Sequence, residues 1–185
     1  AYIIAEIGVN HNGKLSLAKK LIDQALLSGA DCVKFQTFKA KNVATQKTKL
    51  AAYQKKNKVS EKNQFDMLKK LELSKKDFEN IFKYCQIKKI DFLSTPVNKE
   101  DVDFLDKIGV KAFKMASMHA SEPEFIKHVV SKNKPIFAST GMCNIYEVKE
   151  MVKILKKSKN KNICLKKCTS NYPSKIEDSH INVLK

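Results

Sequence analysis

The chain has no arginine and no tryptophan, and only 5 glycines and 4 prolines in 185 residues. So few breakers exclude a collagen-like or Pro/Gly-rich low-complexity chain, and 43% hydrophobic residues are enough to build a core. No apolar run approaches the roughly 18–20 residues of a membrane span, which argues against a membrane protein. The first run, "IIAEIG", carries Glu6 and has neither a basic lead-in nor a small-residue cleavage site, so it does not read as a signal peptide. Cysteine is present but unpatterned. Cys32, Cys85, Cys143, Cys164 and Cys168 are odd in number and include no CxxC pair. That argues against a disulfide framework or zinc site and leaves Cys164-x3-Cys168 as a weak metal signal. Buried, reduced thiols in a cytoplasmic protein are the expectation.

The missing arginine also shapes the reading of charge. All 36 basic residues are lysines, set against 19 acidic ones for a net +17. Base and phosphate recognition by nucleic-acid binders leans on the bidentate guanidinium fork. Here the lysines spread along helical segments such as "LKKLELSKKDF" and "VKILKKSKNK", with no aromatic-interleaved basic patch. They read as a solvated surface and not as a nucleic-acid partner site.

What is there is rhythm. Short Ile/Val/Phe-rich runs at 3–8, 32–37, 91–95, 112–117, 135–140 and 163–169 alternate with amphipathic helices. The helix starts carry caps: Ser16, Ser74 with Asp77, Asn98 with Asp101, Glu122-Pro123, and Asn144 with Glu147. The first helix is expected to bury Leu17, Leu21 and Ala25 and to stop at Gly29. Strand–helix alternation implies parallel strands. Every strand ends in polar residues: Glu6 with Asn10-His11-Asn12-Gly13, Lys34 with Gln36, Ser94-Thr95, Lys114 with Ser117, Ser139-Thr140-Gly141, and Thr169-Ser170-Asn171. An open doubly wound sheet gathers ligand at one switch point, whereas a barrel draws on all its strand ends. There is also no GxGxxG turn after the first strand. The expected fold is therefore an α/β TIM (β/α)8 barrel, truncated after about six βα units. Residues 1–185 would form a partial catalytic domain lacking the last two strands. The long polar segment 38–73, ending in "QFDMLKKLEL", is expected to hold a short helix and to act as a lid; the alternative is a disordered surface insertion.

Side-chain alternation sorts these strands. Val33 and Phe35 pack on helices while Lys34 and Gln36 face inward. Ala5 and Ile7 pack outward while Glu6 faces inward. Phe113 and Met115 pack outward while Lys114 sits between Ala112 and Ala116. One carboxylate and two ammoniums inside, beside the hydroxyls of Thr95, Ser117 and Ser139, suit a small anion such as a phosphate. His11 and His119 follow strands and are candidates for substrate contact or acid/base work, while His128 and His180 read as structural.

The motifs "AEIGVNHNG", "GADCVKFQTF", "FLSTP", "FKMASM", "ASTGM" and "KCTSNYP…ED" resemble, in order and spacing, those of the sialic acid synthase family, the N-acetylneuraminate, legionaminate and pseudaminate synthases. The resemblance covers nearly the whole chain. It implies condensation of phosphoenolpyruvate with an N-acyl hexosamine to a nine-carbon 2-keto sugar acid. C–O cleavage releases phosphate, and a divalent Mn or Mg ion polarises the aldehyde. By motif, it assigns Lys34 and Gln36 to the phosphoenolpyruvate carboxylate, and Thr95, Lys114, Ser117 and Ser139 to its phosphate. Glu6 would stand near the reacting carbons. His11, Asn12, Asn171 and Tyr172 join the substrate-binding set. The family's metal-binding histidines would fall beyond Lys185, so no metal ligand is expected in this chain. A C-terminal antifreeze-like domain would likewise lie outside it, and the complete protein would be a homodimer. The 185 residues alone would be inactive. His119 departs from a commonly acidic family position that contacts the sugar, and Lys167 from a common His. The alternatives are a Schiff-base class I aldolase using Lys166 or Lys167, and a Lys-rich nucleic-acid binder.

Overall fold

The structure is a computed structural model that describes residues 1–50, 61–159, 161–171 and 173–184. It divides into two compact units, Ala1–Val110 and Lys111–Lys185. Six strands form at the expected places: β1 (Ile4–Gly8), β2 (Cys32–Thr37) and β3 (Asp91–Pro96) in the first unit, and β4 (Phe113–Met115), β5 (Ile136–Ser139) and β6 (Ile163–Lys166) in the second. They pair as two three-stranded parallel sheets, ordered β1-β2-β3 and β4-β5-β6. A barrel was expected from the sequence; the described residues give these two sheets.

In the first unit, helices α1 (Leu15–Leu27), α4 (Lys75–Lys88) and α5 (Lys99–Ile108) pack with the sheet. Phe35, Val33 and Ile81 are fully buried, each contributing about 1.5–3 kcal/mol by removal from water. Phe35 stacks on Phe92 with centroids 5.7 Å apart, and Phe82 meets Phe92 edge-on at 5.6 Å. Tyr84 Oη donates to the Asp23 carboxylate at 2.9 Å and Lys88 pairs with it at 2.8 Å, pinning α1 to α4.

The caps at Ser74, Asn98 and Asn144 form as expected. Both capping boxes are complete, and the Asn98 side chain accepts the Asp101 N–H. Ser16 does not cap α1. The helix begins at Leu15 with Lys14 before it and no side-chain cap bond. The reason is local: Lys14 N–H already donates to the His11 carbonyl at 2.9 Å, so the preceding turn feeds straight into the helix. The buried face of α1 is Ala18 and Ile22, one row away from Leu17 and Leu21.

The long connection after β2 holds α2 (Ala40–Val43) and α3 (Gln64–Leu71). Its ends are tied by Glu72, whose carboxylate accepts the Ala40 N–H at 2.6 Å and pairs with Lys39 at 3.3 Å. Burial pushes that carboxyl up, but the Ala40 N–H and the two lysines, Lys69 and Lys39, pull it net below its usual range. Part of the expected lid lies outside the described residues.

In the second unit, α6 (Pro123–Ser131) and α7 (Ile145–Leu155) pack against each other. Phe113, Met115, Ile136 and Ala138 are buried. Strand β4 is shorter than expected because Ser117–His119 turn into a 3-10 helix. β6 likewise ends at Lys166, before Cys168. Of the thiols expected to be buried, Cys32 and Cys85 are; Cys143 and Cys168 are half-buried and Cys164 is exposed. Burial pushes the Cys85 thiol up to about 12. No helix among the described residues is long and apolar enough to cross a membrane.

Candidate active site

In the first unit, parallel register places Glu6 beside Lys34 and Lys34 beside Leu93. The Lys34 ammonium forms an ion pair with the Glu6 carboxylate. It also donates to Thr95 Oγ1 at 3.5 Å. The register of β1 slips between Glu6 and Gly8, and Gly8 takes a positive φ of 54°. A Cβ at Gly8 would stand 3.0 Å from Glu6 Oε1 and 3.7 Å from Gln36 Nε2. Glu6, Lys34, Gln36 and Thr95 are thus brought together. Glu6 was expected to be an interior charge; its side chain is 51% exposed against 14% for Lys34. Its desolvation is correspondingly slight.

His11 closes the turn after β1. Its Nδ1 accepts the Gly13 N–H at 3.1 Å, and its ring stacks on Phe35 at 6.0 Å. Burial pushes its pKa below the usual value, against an opposing pull from the Gly8 carbonyl. Asn12 is exposed at φ 50°. Gly13 packs so tightly that an added Cβ would run into the Lys70 carbonyl of α3. The turn at the end of β1 and the helix of the long connection are therefore in contact.

In the second unit, Lys114 is 8% exposed. Its ammonium donates to the Met115 carbonyl at 2.8 Å and to Ser139 Oγ. Ser139 Oγ also accepts from the Cys168 thiol at 3.1 Å. Ser117 Oγ accepts the Gly141 N–H at 3.0 Å. A Cβ on Gly141 would lie 2.7 Å from Ser170 Oγ, 2.9 Å from Ser117 Oγ and 3.0 Å from the Cys168 carbonyl. An ammonium, hydroxyls and a thiol thus gather at the carboxyl ends of β4, β5 and β6. Lys114, Ser117 and Ser139 were expected there. The sequence offers Cys168 only as a weak metal signal and Ser170 only among the polar strand endings; neither carries an anion-site role there.

The remaining expectations divide. His119 is buried, with Nδ1 2.8 Å from the Glu122 carboxylate and its ring stacked 3.8 Å from Phe125. It is held against the first turn of α6. Asn171 is exposed, and Tyr172 lies outside the described residues. Lys167 donates to Thr169 Oγ1 at 2.8 Å and to the Asp178 carbonyl at 2.9 Å. It lines a cavity of about 270 Å3 with Thr169, Ser174, Ser179 and Ile181. Among the described residues no group of three His, Cys, Asp or Glu side chains is placed to hold a metal ion.

These features define a class: an α/β protein of parallel strands whose carboxyl ends carry lysine–hydroxyl clusters suited to a small anion. Residues 21–185 match the NeuB family, and the chain belongs to that family. It is 44% identical over 184 residues to the N,N'-diacetyllegionaminic acid synthase of Campylobacter jejuni, covering 98% of this chain and 55% of that protein. It is 31% identical over 183 residues to the human N-acetylneuraminate-9-phosphate synthase, covering 99% of this chain and 50% of that protein. The chain spans about half the length of the curated relatives it matches. Among solved structures, the N-acetylneuraminic acid synthetase of Leptospira borgpetersenii, a citrate complex, superposes with a TM-score of 0.86 at 28% identity, covering 98% of this chain and 59% of that one. A truncated 3-deoxy-D-arabino-heptulosonate 7-phosphate synthase from Thermotoga maritima shares the fold, at a TM-score of 0.62 and 12% identity over 89% of this chain and 50% of that one.

Proposed function

We propose that the chain is the phosphoenolpyruvate-binding part of a nonulosonic acid synthase built on a (β/α)8 barrel. The enzyme joins phosphoenolpyruvate to an N-acyl hexosamine and releases phosphate. The observation that carries this reading is Lys114, an ammonium kept 8% exposed at a strand end and bonded to Ser139. Taking an ammonium out of water costs several kcal/mol, and an anion held by ammonium and hydroxyl donors offsets that cost. Kinship to synthases of legionaminic and neuraminic acids supplies the chemistry.

In this reading Lys34 and Gln36 hold the carboxylate of phosphoenolpyruvate, and Thr95, Lys114, Ser117 and Ser139 hold its phosphate, as the family motifs assign them. C3 attacks the aldehyde carbon, water adds at C2, and the C–O bond to phosphate breaks. The Glu6 carboxylate, ion-paired to Lys34, orients water or moves its proton. The described residues offer no donor set for the divalent ion that the resemblance implies, so no step is drawn through it. Cytoplasmic location and a homodimer belong to the same proposal. Nothing in the geometry favours the Schiff-base alternative. Lys166 Nζ lies 5.4 Å from the Phe137 ring centroid and Lys167 donates two hydrogen bonds.

The test is phosphate release by the full-length protein from phosphoenolpyruvate, an N-acyl hexosamine and Mn2+. Release that depends on both substrates supports the reading. A borohydride-trapped pyruvate adduct at Lys166 or Lys167 would sink it.

A further inference from the structure

Ser139 has one proton to give and two lone pairs to fill. An ammonium only donates, so Lys114 takes one lone pair. The Cys168 thiol takes the other, at 3.1 Å. With both acceptor positions filled from within the protein, the only role left to the Ser139 hydroxyl is to donate. A serine rotor in a pocket is otherwise free to turn its proton or a lone pair toward a ligand. Here Lys114 and Cys168 fix it in the orientation that an anionic oxygen requires. Ser139 itself is 3% exposed, so bulk water has little access to compete for these bonds.

We propose that Cys168 is a positioning residue for the anion. Its thiol orients the Ser139 hydroxyl as a donor and lies close enough to the bound anion to be shielded by it. This rests on the reading of Lys114 and Ser139 as anion donors, and it gives a role to Cys168, which lies within the "KCTSNYP" motif without a role assigned by the resemblance. The surroundings agree. The Cys168 carbonyl and the Ser117 and Ser170 hydroxyls crowd Gly141 so closely that any side chain there would collide. The Cys168 carbonyl thereby packs against Gly141, two residues past the end of β5. Cys164 offers an internal contrast: it is exposed, and its thiol reaches the Leu165 carbonyl of its own strand, at 3.8 Å.

The experiment uses the full-length protein, with inorganic phosphate and phosphoenolpyruvate as separate probes. Iodoacetamide modification of each cysteine is followed by mass spectrometry while calorimetry measures binding. Either anion should slow labelling of Cys168 at least five-fold and leave Cys164 unchanged. Cys168→Ala should weaken binding about five-fold, in the range of one lost hydrogen bond. Cys168→Ser, which restores an O–H donor, should return it to within two-fold, with equal melting temperatures for both variants. A merely structural cysteine would shift melting and show no rescue. Protection by phosphate without phosphoenolpyruvate-dependent turnover keeps the positioning role and removes the synthase reading. Phosphoenolpyruvate binding with Cys168 labelled at full rate, or Cys168→Ala binding as tightly as the parent, overturns the positioning role and leaves the synthase reading standing. Failure of both anions to protect also overturns it.

Discussion

The two units use the same parallel frame but seat their lysines differently. Lys34 in β2 meets a carboxylate that is half in solvent. Lys114 in β4 is buried and bonded to a carbonyl and a hydroxyl. A solvated ion pair contributes about 0–1 kcal/mol, so the first arrangement is tolerated without further reason. A buried ammonium is costly, and under the proposed function a bound anion shares in offsetting that cost. One residue type at two strand ends therefore carries two different weights of functional inference.

The largest expected effect follows from that difference. Lys114→Ala should weaken phosphoenolpyruvate binding by about 3 kcal/mol, roughly 150-fold, as loss of a charged donor predicts. Lys34→Ala should cost roughly 10-fold, because its charge is shared with Glu6. Calorimetry on both variants checks this, and equal losses would break the distinction. Stability should run the other way. Lys114→Met removes a desolvated charge and should stabilise by about 1 kcal/mol, raising the melting temperature by about 2–4 °C for a chain of this size. Lys34→Met should leave it within about 0.5 kcal/mol. A Lys114→Met protein that melts lower would show that the ammonium is structural.

Glycines sharpen the contrast at a smaller scale. Gly141→Ala in the second unit meets the Ser170 and Ser117 hydroxyls at 2.7 and 2.9 Å. Overpacking of this kind costs about 1–3 kcal/mol and should weaken anion binding as it displaces Ser117. Gly29→Ala in the first unit meets nothing within 4 Å and pays only for its φ of 80°, about 1 kcal/mol. Chemical denaturation and phosphoenolpyruvate binding together distinguish them: Gly29→Ala should change stability alone.

Much of this frame was legible in the sequence, because strands and capped helices are set by neighbours in the chain. Apolar alternation located all six strands, and Ser74, Asn98 and Asn144 capped the helices they precede. The failures were tertiary. Ser16 had cap chemistry, but the His11 carbonyl had already captured the Lys14 N–H. Leu17 and Ala18 lie on adjoining rows of one helix, and only packing against the sheet decides which is buried. The partners of His119, Glu122 and Phe125, lie in and just before the next helix, where no strand pattern points to them. The pairing of Cys168 with Ser139 was not legible because the two lie 29 positions apart; the sequence offered Cys168 only as a weak metal signal.

The smallest effect distinguishes the units by pH. His11 is the one histidine in the first unit, and burial holds its pKa below the usual value. The fold disfavours its protonated form, while the unfolded chain takes up that proton near pH 6.5. The contribution of His11 is therefore complete above that pH and declines as pH falls through it, levelling off once the folded form also protonates. Asp101 titrates with the opposite sign. Burial raises its carboxyl, so its contribution is complete below the unfolded value near pH 3.9 and is lost as pH rises through the folded value. Denaturation midpoints between pH 7 and pH 5 should fall for the parent and flatten in His11→Asn, whose side chain can still accept the Gly13 N–H but cannot titrate. An unchanged slope in that variant would show that His11 does not carry the pH response.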